Sequence, residues 1–411
     1  MLRLAVCRRG IALALLAVAA PLPTLGAQAK GKKVESVPAR PRFTVARDSN
    51  SASSYYYHGL SVLGNRPREA ADAFYWAMRL DPEWAAPMYA RRIAFYLADR
   101  RQLIDMMSQG RTDKRSAAVK AIDSLQYAAT LRDPFLHRAL DRMLLEALFD
   151  EFARRSRPDA MVPTAGAILS NGSLDIRAWY AYTLGQMGSA IDLYAQALKK
   201  NPKLIDARIM RAHAFYHDAQ FDSARAELAV ALDSLRKRDE TKLSHQYDSK
   251  AFLEYAIGRI HSRQGDIEGA RAAYGRALSE DLSFFMAHAA LGDIAVAQHD
   301  TATALGEYEL VIQLEGDDAA LRYQYGALLF NAAKYDAAAE QFRKAIELDP
   351  DYVKPYFPLA YIRDGMGADA EAIALYDGYV RRAPASDGPR IEQARTRLAE
   401  LRASAQQVGS K

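Results

Sequence analysis

The sequence has little of the chemistry that enzymes and metal sites need. It contains one cysteine, Cys7, among 411 residues. It has no phosphate loop, no Gly-x-Gly-x-x-Gly run, no Gly-x-Ser-x-Gly elbow and no His-Glu-x-x-His pair. We therefore expect neither an enzyme activity nor a cofactor. If Cys7 is removed during maturation, disulfides and cysteine-bound metals are excluded as well.

Positive charge is scarce outside the N-terminus. The chain has 55 basic and 50 acidic side chains, a formal net charge of +5. Residues 1–50 hold nine of the basic and two of the acidic side chains, which leaves 46 basic and 48 acidic side chains in residues 51–411. A body with a net charge of −2 gives no indication of nucleic-acid binding.

Residues 1–27 have the three parts of a secretory signal peptide. Three arginines form a positive start, an apolar run over 11–20 follows, and two prolines precede small residues that suit signal peptidase. We expect export to a bacterial periplasm or envelope, with secretion as the alternative and no membrane span after cleavage. An uncleaved anchor over 10–27 stays open. Residues 28–50 predict a disordered basic leader, for which weak contact with anionic lipid or polymer is one option.

A repeat of 34 residues runs through most of the body. Aromatic residues return at this step, each four residues after an alanine and sixteen after a glycine or alanine. These aromatic positions are Tyr274, Tyr308, Phe342 and Tyr376, and Pro350 and Pro384 follow the last two after eight residues. In each half-repeat the apolar residues follow the i, i+3, i+4, i+7 spacing of an amphipathic helix. A single helix pair cannot bury its apolar face alone, so neighbouring pairs must stack.

This pattern resembles the tetratricopeptide repeat family, with its small residue at position 8, alanine at 20, aromatic at 24 and proline at 32. The resemblance covers residues 51–84, 171–238 and 251–386, although Leu282 and Gly316 stand where proline is usual. It implies an all-α fold, a helix-turn-helix solenoid wound as a right-handed superhelix with a C-terminal capping helix.

The repeats define the expected domain plan. After the signal peptide (1–27) and leader (28–50) come an N-terminal repeat (51–84), degenerate helical repeats (85–170), two repeats (171–238), a charged insertion (239–250), four repeats (251–386) and a capping helix with a tail (387–411). Within 85–170 the composition predicts helices over 87–98, 114–131, 134–155 and 159–169. A separate helical domain over 85–170 is the alternative.

The resemblance also implies where a partner binds, because the first helices of such repeats line a concave face. The positions that it selects are Trp179, Tyr182, His213, Tyr216, His217, Tyr255, Arg259, Arg263, Asp293, Tyr323, Asn331, Lys354 and Tyr361. Rings with a few charges suit an extended peptide or protein segment, so we predict a non-enzymatic protein-interaction scaffold. Two alternatives stay open: several rings pack between helices, or the protein is an accessory factor for envelope polysaccharide assembly or export that contacts glycan.

One pair of histidines has metal-like spacing. His213 and His217 lie four residues apart, on one face of a predicted helix, and Asp206 is the nearest further ligand. We interpret the pair as groove histidines and predict no metal, since no additional ligand is visible. Asp317 and Asp318 are acidic residues at an expected turn, where starting a helix is the favoured role.

Overall fold

The computed structural model describes residues 37–42, 48–99, 117–156, 172–241 and 250–409. Eighteen α-helices and one 3-10 turn, and no β-strand, lie in these ranges. In chain order the helices are α1 (Ala52–Val62), α2 (Pro67–Leu80), α3 (Ala85–Ala98), α4 (Ala117–Arg132), α5 (Leu140–Ser156), α6 (Leu174–Thr183), α7 (Met187–Lys200), α8 (Ile205–His217), α9 (Phe221–Thr241), α10 (Lys250–Arg263), α11 (Ile267–Glu280), α12 (Phe285–Ala297), α13 (Thr301–Leu314), α14 (Ala319–Asn331), α15 (Tyr335–Leu348), α16 (Tyr356–Gly365), α17 (Asp369–Arg382) and α18 (Gly388–Gly409). None of these described helices combines the length and the apolarity needed to cross a membrane.

The described residues form two compact units. The first contains Gly64–Arg68 and Met88–Glu280, and the second contains Pro38–Leu63, Glu69–Pro87 and the chain from residue 281 onward. In both units consecutive helices pair: α6 with α7, α8 with α9 and α10 with α11 in the first, then α12 with α13, α14 with α15 and α16 with α17 in the second. Helix α18 packs on α17. The predicted all-α helix-turn-helix solenoid with a capping helix is confirmed.

The spacing of small and aromatic residues has a direct structural cause. At Gly326 on α14, an added Cβ would lie only 2.8 Å from the ring of Phe342 on α15. At Gly59 the corresponding distance to the ring of Phe74 is 2.6 Å. Glycine therefore lets the paired helices approach until the aromatic ring fills the space between them. The same contact joins Gly258 to Tyr274 and Gly292 to Tyr308.

The turn between the two helices of a repeat depends on one left-handed residue. These residues are Gly185, Ala219, Gly265, His299, Ala333 and Gly367, with φ between 57° and 78°. They lie 34 residues apart, except where the insertion adds twelve between Ala219 and Gly265. The backbone thus keeps the repeat even where the side chain changes.

Helix starts and ends follow the sequence signals. The Asp318 carboxylate accepts hydrogen bonds from the main-chain N–H groups of Ala320 (2.8 Å) and Leu321 (3.2 Å), which is the helix-start role expected of it. Helix α15 ends two residues before Pro350. Helix α11 ends at the same repeat position although Leu282 replaces the proline. The proline therefore reinforces an ending that packing already determines.

The prediction of one helix over 134–155 is wrong at its start, because α5 begins at Leu140. Residues 133–139 are not helical. The Asp133 carboxylate accepts a hydrogen bond from the main-chain N–H of Phe135 (3.0 Å), and this side-chain turn replaces a helical one. The signal peptide, the expected helix over 159–169 and residues 242–249 of the insertion lie outside the described residues.

The second unit combines an early part of the chain with the C-terminal repeats. The Asn50 side-chain amide donates to the main-chain oxygen of Arg381 (2.9 Å), and the main-chain N–H of Ala385 donates to the Asp48 carboxylate (2.7 Å). These contacts place residues 48–50 of the expected leader against α17 and the turn that follows it. Residues 48–50, expected as part of a disordered leader, are therefore a folded part of the second unit.

Candidate functional site

The thirteen predicted partner-binding residues divide between the two units. The first unit contains Trp179, Tyr182, His213, Tyr216, His217, Tyr255, Arg259 and Arg263 on α6, α8 and α10. The second contains Asp293, Tyr323, Asn331, Lys354 and Tyr361, on α12, α14, the turn before α16 and α16 itself. We refer to these two sets as the first-unit surface and the second-unit surface.

The first-unit surface is largely covered by the chain's own residues 131–138. Phe135, which is 2% exposed, stacks on Tyr216 with ring centroids 3.9 Å apart and planes 10° apart. The His213 ring lies 5.1 Å from the same phenyl ring. Sequence reasoning missed Phe135, although the Asp133-Pro134 pair before it is a recognised signal for a turn.

Main-chain oxygens connect this internal segment to the surface. His137 Nε2 donates to the main-chain oxygen of Tyr182 (2.9 Å), and the Tyr255 hydroxyl donates to the main-chain oxygen of Leu131 (3.3 Å). Tyr182 and Tyr255 are both completely buried. Tyr182 and Tyr216, two of the rings that the glycan alternative would need for stacking, are therefore already in contact with protein.

Arginines border the same surface. The Arg263 guanidinium carbon lies 5.4 Å from the Tyr216 ring centroid and 5.6 Å from that of Phe221. Arg259 donates to the Tyr255 hydroxyl oxygen at 3.2 Å. Both arginines are exposed and Trp179 is half-buried, so these three residues form the accessible border of the first-unit surface.

The histidines of this surface are neutral at pH 7. Burial, helped by the neighbouring His217 and by the positive charge of Arg138, lowers the pKa of His213 to about 3. Burial also lowers the pKa of His217, with His137 as the next cause. Across the described ranges no group of three or more His, Cys, Asp or Glu side chains is arranged to hold a metal ion. The cluster is therefore an uncharged packing surface around Phe135.

A buried ion pair anchors the segment where it joins α5. Arg138 Nη2 lies 2.7 Å from an oxygen of Asp141, a carboxylate that is 1% exposed. The Tyr89 hydroxyl donates to Asp141 Oδ1 (3.1 Å) and accepts from the Asp141 main-chain N–H (2.8 Å). A buried carboxylate with this set of partners holds the segment in one position.

Two residues of the second-unit surface, Lys354 and Tyr323, contact other parts of the same chain. Glu83, in the turn after α2, accepts from Lys354 Nζ (2.9 Å) and from the Tyr352 hydroxyl (2.6 Å). The Lys354 ammonium lies 5.9 Å from the Tyr323 ring centroid, and Tyr323 is edge-on to Tyr352 at 5.6 Å. Lys354 and Tyr323 thus help to hold the N-terminal repeat.

Asp293 is likewise engaged within its own repeat. The Tyr308 hydroxyl donates to Asp293 Oδ1 at 2.5 Å. Burial raises the pKa of Tyr308, and the neighbouring Asp293 carboxylate raises it further. Although exposed, the Asp293 carboxylate therefore serves as an acceptor between α12 and α13.

The rest of the second-unit surface is open. Tyr361 is 54% exposed and meets Phe330 edge-on at a centroid distance of 6.0 Å. Phe330 meets Tyr335, which is 47% exposed, in the same way at 5.5 Å. We call these three rings the open aromatic patch. The exposed Asn331 lies beside it, at the end of α14.

Comparisons with known proteins agree with the repeat pattern. Family models described as tetratricopeptide repeat match residues 171–241, 255–284 and 319–352. A protein of Haemophilus influenzae is 27% identical over 112 residues, which are 27% of this chain and 61% of that protein. The photosystem I assembly protein Ycf3 of Rippkaea orientalis is 30% identical over 160 residues, 39% of this chain and 77% of that protein. The crystal structure of YrrB, described as a TPR protein with an unusual peptide-binding site, is 19% identical, covers 49% of this chain and 97% of its own, and has a TM-score of 0.39.

Proposed function

Because the chain belongs to the tetratricopeptide repeat family, we propose that it is a non-enzymatic protein-interaction scaffold. It binds a peptide or protein segment on the first helices of its repeats. The observation that carries this proposal is the open aromatic patch, in which Phe330 and Tyr361 lie on first helices, Tyr335 begins the second helix α15, and no covering segment lies among the described residues. Exposed rings that lie together in this way favour a protein partner.

The first unit illustrates how such a surface holds a chain segment. Phe135 stacks on Tyr216, the main-chain oxygen of Leu131 accepts a hydrogen bond from the Tyr255 hydroxyl, and His137 donates one to the main-chain oxygen of Tyr182. A stacked ring and a hydrogen bond to a main-chain oxygen are contacts that bind an extended segment carrying an aromatic residue. Phe330 and Tyr361 of the open patch occupy the repeat positions of Tyr216 and His213 on the covered surface, so we expect similar chemistry at the patch.

A shallow hollow extends the patch along the second unit. It is lined by residues of α13 and α14 and the turn before α15, among them Leu305, Tyr325, Asn331 and Lys334. The hollow has an apolar floor, with the Asn331 amide, the Lys334 ammonium and the Glu309 carboxylate in its lining, which suits a side chain that follows an aromatic anchor. We therefore expect the partner segment to place an aromatic ring against Tyr361 and a polar side chain near Asn331 and Lys334.

The test begins with a photoreactive phenylalanine analogue placed at Tyr361, with Tyr57 as the control position. Both side chains are tyrosines, with 54% and 59% exposure, and both belong to the second unit. A partner that crosslinks from position 361 and not from position 57 is then purified. Its affinity should fall at least about tenfold with Tyr361→Ala and stay unchanged with Tyr57→Ala. Equal crosslinking, or equal affinity of both variants, contradicts the proposal.

We also propose that the scaffold acts outside the cytoplasm, on the strength of the N-terminal sequence alone. Fractionation of the expressing bacterium should recover the protein in the periplasmic or envelope fraction, with an N-terminus near residue 28. Recovery of the uncleaved chain in the cytoplasm contradicts this location. It does not affect the interaction proposal, which the crosslinking experiment tests separately.

A further inference from the structure

Residues 38–40, from the expected leader, are bound on the second unit by three different contacts. The Trp76 indole N–H donates to the main-chain oxygen of Pro38 at 3.1 Å. The Arg40 guanidinium carbon lies 4.3 Å from the centroid of the Trp76 ring, and Arg40 Nη2 lies 3.2 Å from Asp351 Oδ1. In this short segment a main-chain oxygen is therefore recognised by an N–H group, and a guanidinium by both a ring face and a carboxylate.

The surface that receives this segment is fixed by other contacts. Trp76, which is 7% exposed, lies against Tyr55 (6.5 Å between centroids) and Tyr75 (5.6 Å) on α1 and α2. Asp351 also pairs with Arg79 at 3.2 Å. The receiving groups thus lie on two helices and one short turn, with their positions determined independently of Arg40.

Tyr55 contributes a further contact to the cation. Burial raises the pKa of Tyr55, and a hydrogen bond with Arg40 together with the charge of Arg40 opposes that rise. Arg40 also donates from Nη1 to the main-chain oxygen of Ser49 at 3.3 Å, which closes the segment on itself. The guanidinium is therefore recognised by a ring face, a carboxylate and a hydroxyl.

This combination suits one class of ligand. An aromatic ring whose N–H binds a carbonyl oxygen is a common way to recognise an extended, proline-containing segment, because proline lowers the entropy lost on binding. A planar guanidinium stacks on indole and pairs with a carboxylate at the same time, which an ammonium does less well. The preferred ligand is therefore Pro-x-Arg in an extended conformation.

We infer that Trp76, Tyr55 and Asp351 form a recognition site for an extended Pro-x-Arg segment, and that residues 38–40 of the same chain are its ligand. The bound segment connects the N-terminal repeat to the turn after α15, so residues 38–40 act as a clasp on the second unit. The site is separate from the open aromatic patch and does not depend on the proposed function.

The test uses the full chain and a fluorescent peptide with the sequence of residues 37–42. An Arg40→Ala variant weakens the internal ligand, so it should bind the added peptide with micromolar affinity. The wild type should bind at least about tenfold more weakly, because its own segment competes at an effective concentration near millimolar. A peptide with alanine in place of Arg40 should show no saturable binding to either chain. If the Arg40→Ala chain binds the two peptides equally, or binds neither, the inference is overturned.

Arg42→Ala is the matched control, since Arg42 is an exposed arginine of the same leader and lies outside the contacts described above. This variant should bind no more peptide than the wild type. A second readout uses fluorotryptophan labelling, because the chain has only three tryptophans, Trp76, Trp84 and Trp179. The Trp76 resonance, assigned with Trp76→Phe, should shift in Arg40→Ala and return when the peptide is added. An equal shift in Arg42→Ala, or no return with peptide, contradicts a specific site.

Discussion

Arg79 of α2 and Asp349, directly after α15, form an ion pair of 2.7 Å that joins the N-terminal repeat to the C-terminal repeats. Arg79 lies 3.2 Å from Asp351 as well. Asp349 is 8% exposed, and burial raises its pKa to about 6 although Arg79 lowers it. The contact between the N-terminal repeat and the C-terminal repeats therefore depends on a buried carboxylate whose ionised form is unfavourable.

We expect Arg79→Ala to lower the free energy of unfolding of the second unit by about 1–3 kcal/mol at pH 7, because the variant leaves a buried carboxylate without its cation. The loss should be smaller at pH 5, where Asp349 is protonated. Urea denaturation of wild type and variant at both pH values measures it. An equal loss of unfolding free energy at pH 5 and pH 7 would contradict the raised pKa that burial gives Asp349.

The stability cost of Asp349→Asn should depend on pH in the opposite way to that of Arg79→Ala, with a small cost at pH 7 and a larger one at pH 5. Since the folded pKa lies above the unfolded value near 3.8, the folded state holds this proton more tightly. The stabilisation that this tighter proton binding gives the folded state is present at low pH and is lost as the pH rises through about 6. The asparagine variant should therefore cost little at pH 7. It should also lack the gain in unfolding free energy, at most about 1.4 kcal/mol per pH unit, that Asp349 gives the wild type between pH 7 and pH 5.

Gly326→Ala should destabilise the second unit, because the new methyl group would lie 2.8 Å from the Phe342 ring in the contact between α14 and α15. A loss of about 1–3 kcal/mol is expected. Gly306 on α13 is the matched control, since nothing lies within 4 Å of a Cβ there. Gly306→Ala should stabilise the helix by about 0.5–1 kcal/mol. Thermal unfolding compares the two variants, and a similar shift of Tm in both would refute the close-packing explanation.

These close contacts explain how much of the fold could be predicted. The Gly326–Phe342 contact is made within one repeat, so its spacing is visible in the sequence as a step of sixteen residues. The Phe135–Tyr216 stack and the Lys354–Glu83 pair join parts of the chain that are far apart in sequence, and no local pattern indicates them. The predicted surface residues were therefore identifiable as first-helix positions, whereas their coverage by the chain itself was not.

The left-handed turn residues give a further prediction. Ala333 has φ of 57°, a conformation that is unfavourable for a residue with a Cβ by roughly 1–2 kcal/mol. Ala333→Gly should raise the Tm of the second unit, even after the greater flexibility of glycine in the unfolded chain is subtracted. Gly367→Ala makes the reverse change at the same repeat position, with φ of 72°, and should lower the Tm. Shifts of the same sign in both variants would contradict this account.

The histidines around Phe135 should make the first unit sensitive to acid. The folded pKa of His213, about 3, lies below its unfolded value of 6.5, so the unfolded state takes up the proton first. The contribution of neutral His213 to the free energy of unfolding is fully present above pH 6.5. It falls by up to about 1.4 kcal/mol per pH unit towards pH 4. Hydrogen exchange of α8 and α10 at pH 7 and pH 5 measures it. His213→Gln should remove most of the difference, and an unchanged difference in that variant would assign the effect to another group.

The measurement that tests the account most directly is hydroxyl-radical footprinting of the wild-type chain, with and without the partner that crosslinks at position 361. In the free protein Tyr361 and Tyr335 should oxidise rapidly, whereas Phe135 and Tyr216 should oxidise slowly, because the chain itself covers them. The partner should protect Tyr361 and Tyr335 and leave Tyr57 unchanged. Rapid oxidation of Phe135 in the free protein, or equal protection of Tyr57 and Tyr361 by the partner, would contradict the assignment of one surface as covered and the other as the binding surface.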